Sequence, residues 1–253
     1  MEPTPKEALG NQLAEYLIQV RQLRTARNGD PRPDDYHGLK EWQAERLMRT
    51  YADVLADPRY HAAAEFFLTD LYGPKDFSSR DEQLARVLPI MLRILPEKAL
   101  ATLVEAVRMD TLSESLDTDM VLAMRRIGVD CRHIDGETYA TAYRACDRAP
   151  DRELQIALIE EIGQALDRLT HLPMIQVSLR LMRKPAALAG LEDLHRFLEQ
   201  GFQAFRSMAG AHEFLAIINQ RETSLMRELL AGKTAPRTMS TSRRPFTRQG
   251  RNC

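Results

Sequence analysis

A chain of 253 residues, 44% hydrophobic and 28% charged, can bury a core without disulfides or a structural metal. Its longest apolar runs, such as VLPIMLRIL around Pro89, are short and broken by Arg93, so none suits a membrane span of roughly 20 apolar residues. The polar, acidic start MEPTPKEALG lacks the basic-then-apolar order of a signal peptide, and a cytoplasmic protein is expected.

The first helix is expected from Thr4-Pro5-Lys6-Glu7, a capping box with proline at the first helical position. Leu9, Leu13, Tyr16, Leu17 and Val20 form its apolar stripe, and Asn28-Gly29 ends it. After the loop DPRPDD a second helix is expected from about His37 to Ala56. Asp57-Pro58 signals a third, with Asp57 as N-cap, carrying Tyr60, Ala63, Ala64, Phe67, Leu68 and Leu71 on one face. Gly73 and Pro74 end it, and Ser79 with Glu82 opens the next, which Pro89 should kink.

Pro96 starts a helix with Leu100, Leu103, Val104 and Val107 inward. Asp117 then reads as the cap of a short helix stopping at Gly128. Asp135 or Gly136 begins another, through about Cys146. Further helices are expected at Leu154 to Leu169, from Pro173 to about Met182, near 187–208 and over 211–230. No segment alternates as a strand would and no fixed-period repeat occurs, so the expectation is an all-α fold. It is an irregular bundle of about ten helices in a single domain over residues 1–231.

Residues 232–253 carry six basic residues and no acid, leaving 29 basic against 36 acidic residues, a net of −7, for residues 1–231. So acidic a body is a poor nucleic-acid surface. The tail has too few large apolar residues to fold alone and is expected to be disordered. Nucleic acid is an expected partner only through this basic tail.

The densest local information is FFLTDLYGPKDFSSRD, residues 66–81. Asp70, set among large apolar residues, calls for a partner if it is buried, and Arg80 is the nearest candidate in sequence. One reading is a structural ion pair, Asp70–Arg80, that fixes a corner between helices. The other is a ligand site lined by Tyr72, Asp76 and Arg80. This stretch, followed by LPEKALATLVEA, resembles a pattern found in an uncharacterised family of bacterial all-helical proteins, over about residues 40–230. The resemblance implies a bacterial source. It implies no activity, cofactor or catalytic residue.

Among chemical motifs, Glu192-Asp193-Leu194-His195 is one Glu-x-x-His, half of what a di-iron carboxylate bundle needs. His61 and Glu65 have i, i+4 spacing on another helix. A metal site would therefore draw on His61, Glu65, Glu192 and His195, and a haem on His37 or His61. The leucines around His195 place it and Glu192 at the edge of a core face. Cys131, two residues from His133, is the one candidate catalytic thiol, at a spacing that does not suit a triad. The other two cysteines, Cys146 and Cys253, are expected to be reduced thiols. No nucleophile elbow, P-loop, GxGxxG or HExxH is present. The reading is a non-catalytic binding or interaction module without a cofactor, for a protein partner or a small apolar ligand between helices. The alternative is a helical-bundle oxidoreductase holding iron or haem.

Overall fold

Thr4 starts the first helix as its sequence dictates. In a computed structural model, the Glu7 amide donates to Thr4 Oγ1 at 3.3 Å and the Thr4 amide donates to Glu7 Oε2 at 2.7 Å. The structure describes residues 3–71 and 78–234. Over these, helix α1 spans Pro5–Asn28, α2 Asp34–Thr50, α3 Ala52–Ala56 and α4 His61–Phe66, which runs into a π turn at Phe67–Leu71. There follow α5 Ser78–Ile94, α6 Glu97–Arg126, α7 Gly136–Ala145, α8 Ala149–Thr170, α9 Pro173–Leu188, α10 Glu192–Ser207 and α11 His212–Leu230. The fold is all-α and forms one domain, with eleven α-helices and no strand among the described residues. Of the expected tail, only Gly232, Lys233 and Thr234 fall within them.

Several boundaries differ from the sequence expectation. Asp117 caps nothing: it lies inside α6, which runs unbroken for 30 residues. No glycine or proline interrupts residues 97–127. The hydroxyls that could have capped a new helix bond back within this one. Thr111 donates to the Val107 carbonyl, Ser113 to Met109 and Thr118 to Glu114, each at 2.9 Å. Asp57 likewise accepts from the Arg59 amide at 2.8 Å in a turn, and the helix it was expected to cap begins at His61. The expected helix from His37 to Ala56 starts earlier and breaks at Tyr51, whose φ of −112° leaves helical geometry.

Helix α9 continues past Met182 and through Pro185 to Leu188. Its stop is Gly190, at φ +68°. The Leu191 amide donates to the Ala186 carbonyl at 2.8 Å and the Gly190 amide to Ala187 at 3.1 Å, a glycine-dependent helix end. The same pattern at Gly128, φ +75°, ends α6.

The core has three parts. Leu13, Leu17, Leu100 and Val104 join α1 to the first half of α6, with Leu84 of α5 and Leu194 of α10. The second half of α6 meets α2, α7 and α11 through Met120, Met124, Trp42, Tyr139 and Leu229. Phe205, Phe214 and Ile218 pack α10 and α11 against α3 and α4.

Candidate functional site

Between the second and third parts of the core lies a cavity of about 140 Å³. One portion of its wall is apolar, with Phe67, Ile159, Phe214 and Ile218 among its residues. Its charged lining comes from four helices: Arg46 of α2, Asp117 of α6, Arg152 of α8 and Glu222 of α11. Arg46 is paired, its Nη1 donating to both Glu222 oxygens at 2.8 and 3.0 Å. Tyr51 donates to the same carboxylate at 2.9 Å. Burial, then the Glu222 charge, pushes the Tyr51 hydroxyl above the ordinary phenol range. Burial does the same to Tyr143.

Asp117 is tied to an ionic node between α1, α2 and α6. Arg24, Arg27 and Lys40 converge on Glu114, at 3.3, 3.0 and 2.7 Å, and Arg24 also meets Asp110 at 2.8 Å. Burial works against ionisation of Glu114, but Lys40, Arg27 and Arg24 outweigh it and its pKa is lowered. Asp117 accepts from Gln43 Nε2 at 3.1 Å and lies 4.0 Å from Lys40. Burial pushes its carboxyl above the usual carboxylate range, against the pull of Lys40.

Arg152 is different. It is 8% exposed, and its guanidinium stacks on Tyr143 at 4.7 Å. Nη1 reaches Gln155 Oε1 only at 3.5 Å, whereas Nη2, fully buried, has no hydrogen-bond partner. Arg46 Nε is a second buried donor without a partner in the same wall. No carboxylate lies within ion-pair distance of Arg152 among the described residues. Neither arginine was marked by the sequence reading. A signal existed in Arg152, a cation in the first turn of a helix, where the dipole favours anions.

The second feature is the outer face of α9. Met174, Leu181 and Leu188 are 78, 71 and 91% exposed, and Val177 and Met182 are half-exposed. The spacing 174, 177, 181, 188 keeps these residues on one side of the helix. Arg180 and Lys184 follow Val177 and Leu181 by three residues, so they border one edge of that stripe, and α9 contains no acidic residue. The opposite side is anchored. Arg183 pairs with Glu199 of α10, and the Leu179 carbonyl is bonded to His195 Nε2 at 2.7 Å.

Of the residues singled out from sequence, Tyr72 and Asp76 lie outside the described residues, as does the Arg80 side chain. Asp70 lies in the π turn and accepts from Thr69 Oγ1 at 2.7 Å. His61 is exposed, its Nδ1 bonded to the Leu55 carbonyl at 2.7 Å and its Nε2 3.9 Å from Glu65. Glu192 is exposed and pairs with Arg196 one turn on. His195, expected at the edge of a core face, is buried, because its ring closes the joint between α10 and α9. Leu198, one of the leucines around His195 that mark the expected core face, is 43% exposed. His37 is exposed and meets Glu41 at 3.1 Å. Among the described residues no three His, Cys, Asp or Glu side chains come together as a metal site. His133 is exposed and faces Asp130, whereas the Cys131 thiol is buried against Met124 Sδ at 3.7 Å, so the two form no dyad. No helix among the described residues is long and apolar enough to cross a membrane.

A family model described as "Domain of unknown function (DUF8198)" matches residues 22–236. No curated protein and no solved structure matches the chain.

Proposed function

Because the chain belongs to the DUF8198 family, a domain of unknown function, its own geometry must supply a role, and we propose a cytoplasmic, non-catalytic interaction module. Helix α9 is its docking face, and the partner presents an acidic amphipathic helix. The observation that carries this reading is the exposed apolar stripe Met174, Val177, Leu181, Leu188, bordered along one edge by basic side chains. A contiguous apolar surface rimmed by charge marks an interaction site. An amphipathic partner helix would lay its own apolar residues along the stripe and its carboxylates against Arg180 and Lys184. Charge argues against a second copy presenting the same face, since two α9 helices would bring like charges together.

The test is a titration of the full chain with two designed helical peptides that share a leucine stripe. One is flanked by glutamates and the other by lysines. The acidic peptide should bind, the basic one should not, and Leu181→Glu should abolish binding. Equal affinity for both peptides, or binding unchanged in Leu181→Glu, would contradict the reading. So would a stable dimer in sedimentation that Leu181→Glu dissolves.

A further inference from the structure

The cavity between α2, α6, α8 and α11 carries an independent inference. Buried charges in proteins come paired, because an unpaired one forfeits its hydration. Around this cavity the pairing is complete for all but one group. Arg46 has Glu222. Asp117 has Gln43 and Lys40, at the edge of the Glu114 node. Arg148 has Asp119 and Asp151. Arg152 has no ion pair among the described residues: it has the face of Tyr143, a long contact to Gln155 and a longer-range attraction to Asp117, whose nearer partners are Gln43 and Lys40. It sits in the first turn of α8, where the helix dipole adds positive potential. Its Nη2 and Arg46 Nε are buried donors without acceptors in the cavity wall.

We propose that this cavity binds a small monocarboxylate, its carboxylate held by Arg152 and Arg46 and its apolar body lodged among Phe67, Phe214 and Ile218. The charge follows from the pairing, because Arg152 is, among the described residues, the one charged group of the wall without an ion pair or a full set of acceptors, which suits one added negative charge, and a dianion would leave a buried charge of its own. The carboxylate follows from the donor, since guanidinium edges match planar carboxylates. The body follows from the wall and from the size. A volume of 140 Å³ is close to that of the roughly 150 Å³ engineered cavity known to take benzene, so the ligand is a short aliphatic or single-ring acid.

Calorimetric titration of the full chain with benzoate and hexanoate, beside the neutral benzamide and hexanamide, tests this. At least one acid should bind saturably at one site, with its amide at least about tenfold weaker, the difference a charged hydrogen bond commands. Arg152→Met, which keeps the bulk of the side chain and removes the charge, should abolish the preference of acid over amide. The acid–amide comparison on the unaltered protein stands even where that variant does not fold. The proposal is overturned if neither acid binds at about 10 mM, above the millimolar range of weak binding. Equal affinity for acid and amide overturns it too, as does an Arg152→Met protein that keeps the preference. None of these outcomes bears on α9, which lies outside the cavity wall.

Discussion

Glu222 of α11 holds α2 through Arg46, at 2.8 and 3.0 Å, while accepting from the Tyr51 hydroxyl at 2.9 Å. One carboxylate thus neutralises a buried guanidinium and fixes the break between α2 and α3. Removing it leaves Arg46 buried and uncompensated. Glu222→Ala should therefore destabilise the fold by about 3–5 kcal/mol, read from urea denaturation. A loss under about 1 kcal/mol, the range of exposed pairs, would mean that Arg46 finds solvent or another acceptor.

Gly38 sets the approach of α2 to the loop after α6. A Cβ there would stand 2.3 Å from the Cys131 carbonyl oxygen and 2.9 Å from its carbon. Backbone atoms cannot yield as a side-chain tip can. Gly38→Ala should cost about 1–3 kcal/mol, although alanine is the better helix former, and its melting temperature should fall. An unchanged or higher melting temperature would show that the loop yields.

The buried Cys131 thiol gives a pH-dependent prediction. Burial raises its pKa from 9.0 to about 11. The folded state therefore holds its proton more tightly than the unfolded chain. The associated stability is present below pH 9.0 and is lost as pH rises toward about 11. At pH 8 Cys131 should resist alkylation until the protein unfolds. Rapid labelling of the folded protein at that pH would contradict its placement.

These positions also mark how far the sequence could be read. The Thr4–Glu7 box and the helix start at Asp135 or Gly136 were legible because a helix start is a local pattern, complete within four residues. The stripe Leu13, Leu17, Val20 of α1 was legible because periodicity survives any packing. Asp117 was misread because aspartate at a helix start and aspartate in a buried ion node look alike in one dimension. Its partners Lys40 and Gln43 are more than 70 residues away. His195 was placed at an edge because its acceptor, the Leu179 carbonyl, belongs to the preceding helix, and backbone acceptors leave no mark in side-chain patterns. The cavity has the same origin, its arginines coming from α2 and α8.

Metal content separates the interaction reading from the oxidoreductase alternative. His61 and Glu192 are exposed, and His195 spends Nε2 on a carbonyl. Elemental analysis and an absorption spectrum of freshly purified protein should show no stoichiometric iron, manganese or zinc and no Soret band. Stoichiometric metal or a Soret band would make His37, His61, Glu65, Glu192 and His195 the first residues to replace.

If the α9 stripe serves binding, it should contribute little to folding. Leu181→Glu should change stability by no more than about 0.5 kcal/mol. Leu194→Ala, at a buried position of the neighbouring helix, should cost about 2–5 kcal/mol. A large loss for Leu181→Glu would assign that side chain to the core.

The most direct measurement is methionine-methyl NMR of the full chain during titration with the glutamate-flanked peptide. Met174 and Met182 report from the exposed face of α9, and Met120 and Met124, fully buried, report from the core. Docking on α9 predicts that the Met174 and Met182 resonances shift saturably while those of Met120 and Met124 stay in place. Unchanged Met174 and Met182 resonances, with the peptide bound elsewhere or not at all, would contradict the assignment of α9 as the docking face.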